Sequence, residues 1–170
     1  MPLIEGKTLR RIVKSGGTPM RQLVRHLIGA SDAIAYAHSH GVIHRDIKPS
    51  NIMVGQYGET IVIDWGLARV VTDDGPGDGE FDQDFAGELT QVGVGTPNYM
   101  SPEQAAQGQR ENDADGSRLQ ADAMFPASDI DCRSDIYSLG ATVFAVLTGR
   151  NPFSGSDSSA TLSRVLSGDF

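Results

Sequence analysis

Apolar positions recur with helical spacing over one long stretch and predict the principal helix of the chain. Thr18 and Pro19 are suited to the N-cap and to the first helical position. Gly41 is suited to end the helix, because glycine tolerates the left-handed backbone that follows many helices. Between them, apolar residues repeat in alternating steps of four and three, at Leu23, Leu27, Ala30, Ile34 and Ala37. This spacing predicts a helix with one buried face.

Weaker patterns predict three further helices. Thr8–Lys14 has its apolar residues on one face and is followed by a pair of glycines. Another helix is predicted to begin with Ser134 as its cap and to end at Gly149. A last one covers Ser158–Leu166.

The sequence after the principal helix has a pattern typical of short strands. Runs of β-branched residues occur at Val42-Ile43, Ile52–Val54 and Thr60–Ile63. The last two flank Gly55–Gly58, which predicts a hairpin turn. Two stretches with little periodicity, residues 70–94 and 107–128, predict a long irregular loop and an insertion.

Length and charge narrow the class of protein. The 170 residues suffice for one domain with a core, and the net charge of −8 argues against a general nucleic-acid or anionic-membrane surface. Acidic residues concentrate in residues 73–88, where the absence of Lys and Arg predicts a solvated loop and the EF-hand spacing is absent. Cys132 is the single cysteine, and the sequence shows neither a leader pattern nor an apolar run long enough to cross a bilayer. These features predict a cytoplasmic segment without membrane contact.

The strongest chemical signal is His44-Arg45-Asp46-Ile47-Lys48-Pro49-Ser50-Asn51, which falls between two predicted strands. Phosphoryl transfer requires positioning and charge neutralisation more than covalent chemistry. A carboxylate (Asp46) can orient and deprotonate a hydroxyl, and a cation (Lys48) can neutralise the phosphoryl group. An amide oxygen (Asn51) can hold Mg²⁺, and the carboxylate of Asp64 in Asp64-Trp65-Gly66 supplies a second oxygen ligand. Either segment alone fits an ordinary charged turn; their order and the hairpin between them favour the phosphotransfer interpretation.

At these residues the sequence resembles bacterial serine/threonine protein kinases of the eukaryotic-like type. His44–Asn51 resembles the catalytic loop of that family and Asp64-Trp65-Gly66 resembles its Asp-Phe-Gly motif. Gly95–Glu103 is similar to the end of the activation segment, and Ser134–Gly140 to the start of the central helix. The resemblance implies an α+β, protein-kinase-like fold in which a mostly helical C-terminal lobe carries short β-hairpins.

The resemblance also implies an organisation of the chain and roles for individual residues. The expected parts are a hinge-like segment (1–9), the long helix and catalytic loop (18–63), the activation segment (64–103), an insertion (104–133), and the central and following helices (134–170). Protein Ser/Thr hydroxyls would be the acceptors, with ATP and Mg²⁺ as cofactors. The implied catalytic residues are Asp46, Lys48 and Thr96; the metal ligands are Asn51 and Asp64; the further ATP contacts are Leu3, Ile4, Glu5 and Lys48; and the supporting residues are His44, Arg45, Gly66, Glu103 and Asp135.

Several features depart from the family pattern or leave alternatives open. Trp65 replaces the usual phenylalanine, and His26, His38 and His40 match no family motif, so they are expected at the surface. Thr90 is expected to be an activating phosphorylation site, with an unmodified loop residue as the alternative.

The sequence contains no glycine-rich loop and no strand lysine of the kinase type. We therefore expect a truncated chain without the N-terminal lobe, or one with a misplaced start, that is poorly active alone. A non-catalytic kinase remnant that acts as a binding module is the alternative function.

Overall fold

The computed structural model describes residues 5–72, 75–76, 97–112 and 130–169. In chain order the elements are β1 (Gly6–Thr8), α1 (Leu9–Ser15), α2 (Met20–Ser39), β2 (Val42–Ile43), β3 (Ile52–Gly55), β4 (Thr60–Val62), β5 (Arg69–Thr72), β6 (Gly75–Pro76), a 3₁₀ turn (Pro97–Tyr99), α3 (Pro102–Asn112), α4 (Cys132–Thr148) and α5 (Ser158–Ser167). None of the helices within these ranges is long and apolar enough to cross a membrane.

The main core forms where α2 packs against α4 and the small strands. Leu23, Leu27, Ala30 and Ile34 of α2 are buried, as the periodicity predicts. They pack with Leu9 of α1, Ile47 of the loop after β2, Ile52 and Val62 of the hairpin, and Val146 of α4. Ile47 is 1% exposed, so the loop that holds the candidate chemistry is anchored in this core.

Two small antiparallel sheets position that loop. The first has the order β1-β3-β4, with Ile52 opposite Val62 and Lys7 opposite Val54. The second pairs β2 with β5 and β5 with β6, with Ile43 opposite Arg69. The loop therefore leaves one sheet at Ile43 and enters the other at Ile52, which fixes both of its ends.

A second, smaller core holds the carboxyl-terminal part of the domain. Its buried residues are Ala105 of α3, Phe153 of the segment between α4 and α5, and Val165 of α5. Tyr137 of α4 packs against them. Gly149 ends α4 in the left-handed conformation, with φ of 72°, as the sequence predicts.

The structure corrects two predicted helix starts. The principal helix begins at Met20, because Pro19 keeps an extended ψ of 138° and its carbonyl accepts the first helical hydrogen bond, from the Gln22 amide at 2.8 Å. The last long helix begins at Cys132, since the Asp131 carboxylate accepts from the backbone N–H of Arg133 at 2.7 Å and caps the helix three residues before the predicted cap, Ser134.

Two stretches predicted to be irregular contain regular structure. Residues 70–72 belong to β5, which pairs with β2, and the Val71 amide donates to the Gly41 carbonyl at 2.7 Å. Gly41 has φ of 70°, and a Cβ there would lie 2.5 Å from the Val71 oxygen, so this approach requires glycine. Residues 104–112 of the predicted insertion are helical, and Ala105 and Ala106 are fully buried.

His26 is buried on α2 rather than exposed, so the prediction of a surface histidine is wrong there. Its Nδ1 lies 3.0 Å from the Thr60 hydroxyl of β4. Burial, and to a smaller extent Arg25, lowers the pKa of His26 from its ordinary value of 6.5. Below that value the unfolded chain binds a proton that the folded chain does not, so folding stability falls with falling pH.

We expect urea midpoints to fall between about pH 7 and about pH 5.5, and to fall less for His26→Gln than for the parent chain. His40→Gln is the matched control, because His40 lies exposed at the end of the same helix. Equal pH dependence in the His26 and His40 variants would contradict the prediction.

Candidate active site

Hydrogen bonds from three helices to backbone carbonyls hold the loop between β2 and β3. The Arg10 amide of α1 donates to the Pro49 carbonyl at 2.8 Å. The Thr142 hydroxyl of α4 donates to the Ile47 carbonyl at 3.4 Å, and the Gln104 side-chain amide of α3 donates to the Arg45 carbonyl at 2.7 Å. Because its carbonyls are tied to separate helices, the loop is a rigid platform for side chains.

Two side chains predicted to be catalytic or metal-binding, those of Lys48 and Asn51, converge on the carboxylate of Asp46. Lys48 Nζ lies 2.7 Å from Asp46 Oδ2. The Asn51 side-chain amide donates to the same oxygen at 2.9 Å and to the Asp46 carbonyl at 2.8 Å. The Asp46 and Lys48 side chains are 14% and 18% exposed, so the pair is largely shielded yet open on one side. Within the described residues, Asp46 Oδ1 has no hydrogen-bond donor, so it is free to accept one from an incoming hydroxyl.

Asp135 organises the loop from inside α4. Its buried carboxylate accepts from the backbone N–H of His44 and of Arg45, each at 2.8 Å. Arg45 has φ of 70°, an uncommon conformation for a residue other than glycine. The two charge-assisted hydrogen bonds compensate for that strained backbone next to Asp46.

His38 of α2 is a third partner of the Asp135 carboxylate. Its Nε2 lies 2.8 Å from Asp135 Oδ2, and its side chain is only 15% exposed. The prediction of a surface position is therefore wrong for His38, whereas His40 is exposed as predicted. No local pattern predicts this contact, because the two residues are 97 positions apart.

His44 is fully buried and links the two predicted motifs. Its Nδ1 accepts from the Asp46 amide at 3.2 Å, which leaves Nε2 to donate to the Ile63 carbonyl at 3.1 Å. These partners assign the proton to Nε2. The Trp65 ring lies against His44, with centroids 4.5 Å apart, and the indole N–H donates to the Val62 carbonyl at 3.1 Å. Trp65 thus packs as a phenylalanine would and adds a hydrogen bond that phenylalanine lacks.

Two oxygen groups fit a divalent cation. Both partners of the Asn51 NH₂ group are acceptors, so the amide is oriented with its carbonyl oxygen away from Asp46. Asp64 is exposed beside Gly66, has φ of 65°, and forms no hydrogen bond with another described residue. Amide and carboxylate oxygens suit Mg²⁺. In the described ranges no three His, Cys, Asp or Glu side chains cluster as a metal site.

The remaining predicted site residues fall into two groups. Glu103 of α3 accepts a hydrogen bond from the Ser134 hydroxyl, and exposed Glu5 accepts one from the Gln56 side chain of the hairpin. Leu3, Ile4, Thr90 and Thr96 lie outside the described residues. The contact of Gln104 with the loop was not predicted, because nothing in the local sequence distinguishes a helical glutamine that contacts a distant loop.

The family follows from comparison with known proteins. The model of the protein kinase domain matches residues 1–168, and the chain therefore belongs to the protein kinase domain family. This confirms the predicted resemblance and the kinase-like α+β fold.

The chain is 36% identical over 158 residues to the probable serine/threonine-protein kinase PknB of Bifidobacterium longum, covering 91% of this chain and 18% of that protein. It is 37% identical over 173 residues to the serine/threonine-protein kinase PknD of Protochlamydia amoebophila, covering 90% and 16%. For the serine/threonine-protein kinase PknB of Mycobacterium tuberculosis the identity is 35% over 159 residues, covering 91% and 20%. The chain thus spans a fifth or less of the length of these relatives.

Proposed function

We propose that this site transfers the γ-phosphoryl group of ATP to serine or threonine hydroxyls of proteins. The observation that carries the proposal is the Asp46 carboxylate. Lys48 at 2.7 Å and Asn51 at 2.9 Å hold its Oδ2, while Oδ1 accepts no hydrogen bond from another described residue. A carboxylate held in this way is oriented to receive a hydroxyl proton, and catalysis of phosphoryl transfer depends chiefly on such positioning. The names of the relatives support the same activity.

Each residue has a defined part in the proposed reaction. The acceptor hydroxyl donates its hydrogen bond to Asp46 Oδ1, and its oxygen forms the new bond to the γ-phosphorus as the bond to the β-phosphate oxygen breaks. The hydroxyl proton passes to Asp46. Lys48, already beside that carboxylate, stabilises the negative charge on the transferring phosphoryl group.

The metal that such reactions use would be held by Asn51 and Asp64. Mg²⁺ held there would neutralise negative charge on the phosphate groups. Asn51 has two parts here, because its NH₂ group orients Asp46 while its carbonyl oxygen stays available to the cation. Asn51 would thus couple the orientation of the Asp46 carboxylate to the binding of the metal.

The activity can be tested with the chain alone and with a fusion. A protein-kinase N-terminal lobe, fused before residue 1, would supply a glycine-rich loop and a strand lysine of the kinase type, which these 170 residues do not contain. We expect the fusion to transfer radiolabelled phosphate from Mg·ATP to a Ser/Thr protein such as myelin basic protein, and to stop when EDTA removes the metal. We expect the 170-residue chain alone to show negligible transfer, since few groups remain to hold the phosphates.

A folded fusion that binds ATP and transfers no phosphate would contradict the proposed activity. That result would favour the alternative, a kinase-derived binding module. Robust transfer by the 170-residue chain alone would instead contradict the assignment of phosphate binding to the added lobe.

A further inference from the structure

A basic cavity lies beside the candidate catalytic loop, between α1 and the end of α4. Four of its lining residues are cations and none is acidic: Arg10, Lys14, Lys48 and Arg150. This composition is unusual for the chain, whose net charge is −8. Gathering like charges around one concavity raises its positive potential and costs free energy unless an anion binds there.

The three outer cations of this basic cavity are available to a ligand. Arg10, Lys14 and Arg150 are exposed, and none forms an ion pair with another described residue. Their positions are nonetheless fixed by the fold, because α1 is tied to the loop through the Arg10 amide and Arg150 directly follows the cap of α4. A ligand in the cavity therefore meets cations from α1 and from the end of α4.

The cavity also has a polar wall and a direct connection to the chemistry. The Tyr99 hydroxyl donates to the Asn151 side-chain oxygen at 3.0 Å, and both residues line the cavity. Lys48 lines it as well and contacts Asp46 at 2.7 Å. A polypeptide whose hydroxyl reaches Asp46 thus passes the basic cavity with its neighbouring residues.

From this placement we infer that the site selects protein segments with aspartate or glutamate near the acceptor serine or threonine, and that Arg10, Lys14 and Arg150 determine the specificity. The inference rests on the proposed function for the identity of the acceptor. Carboxylate side chains match these exposed cations in charge. A long polyanion such as nucleic acid fits less well, because the rest of this acidic chain would repel it.

Binding by the 170-residue chain tests the inference without any phosphotransfer. The probes are two fluorescein-labelled peptides with one serine each, flanked on both sides by aspartates in one and by asparagines in the other. We expect fluorescence anisotropy to show tighter binding of the aspartate peptide, with the advantage reduced by added NaCl. Since each exposed ion pair contributes about two- to threefold in affinity, Arg10→Glu/Arg150→Glu is expected to weaken binding of the aspartate peptide about tenfold.

Arg11→Glu is the matched control, because Arg11 is the exposed neighbour of Arg10 on α1 and does not line the cavity. It should leave the peptide preference unchanged. Equal affinity for both peptides, or equal losses in the Arg11 and the Arg10/Arg150 variants, would overturn the inference. Tighter binding of a single-stranded oligonucleotide than of the aspartate peptide would also overturn the inference.

The fusion with the added lobe separates this inference from the proposed function. We expect kcat/KM to be higher for the aspartate peptide than for the asparagine peptide, and the ratio to fall in Arg10→Glu/Arg150→Glu. Equal turnover of both peptides overturns the inference and leaves the activity intact. If neither peptide is turned over but the aspartate peptide still binds selectively, the proposed activity is contradicted. The basic cavity is then supported as a binding site for acidic segments.

Discussion

Asp46→Asn is expected to abolish phosphate transfer in the fusion that carries the added lobe. An asparagine side chain has nearly the same shape and can still accept from Lys48 and Asn51, so the loop should keep its conformation. It cannot take the proton of the acceptor hydroxyl, and it lacks the charge that orients that hydroxyl. The loss should be about a thousandfold or more in kcat, the range seen when a preorganised catalytic group is removed.

Radiolabelled phosphate transfer at saturating ATP and substrate measures this effect. Asp32→Asn is the control, since Asp32 is exposed on α2 and should leave kcat unchanged. Thermal melting of both variants shows that a loss of rate is not a loss of fold. If Asp46→Asn kept a kcat within a few-fold of the parent value, the assignment of Asp46 as the proton acceptor would be wrong.

Asp135→Asn is expected to destabilise the 170-residue chain by about 3 kcal/mol or more, because three donors converge on this buried carboxylate. The donors are the amides of His44 and Arg45 and the ring of His38. An amide side chain offers one acceptor oxygen and turns its own NH₂ group toward a donor. The side-chain volume is unchanged, so the loss reports on hydrogen bonding and not on a cavity.

Urea unfolding followed by circular dichroism measures this change. Asp131→Asn is the matched control on the same helix, and asparagine retains the ability to cap, so its loss should be small. Arg133 holds the pKa of Asp131 below its ordinary range, chiefly through the side-chain hydrogen bond. The control is therefore measured at neutral pH, where that carboxyl is ionised. Equal unfolding midpoints for Asp135→Asn and the parent would show that Asp135 does not support the loop.

Local sequence patterns predicted the elements whose stabilising contacts are local or strictly periodic. The buried face of α2 follows from its apolar spacing, and the β3–β4 hairpin from its turn residues. The candidate chemistry of Asp46, Lys48 and Asn51 could be predicted because the three lie within six residues of one another on one loop. Their convergence on one carboxylate oxygen is a geometric detail that the spacing could not give.

The features that sequence reasoning missed depend on contacts between distant parts of the chain. Strand β5 exists because it pairs with β2, and a run of apolar residues alone does not reveal its partner. His38 and Gln104 carry no local signal, since their partners Asp135 and the Arg45 carbonyl lie on other elements. The basic cavity is another case, because Arg10 and Arg150 are brought together only by the packing of α1 against α4.

The hydrogen bonds from the catalytic loop to Asp135 also bear on the order in which the protein can mature on the ribosome. The amides of His44 and Arg45 find their acceptor 91 and 90 residues later in the chain. The loop therefore emerges well before the carboxylate that holds its strained backbone, and closing so long a separation costs chain entropy. A nascent chain that has not yet reached α4 lacks the acceptor of both hydrogen bonds. The loop can be held by Asp135 only after the chain has extended past that residue.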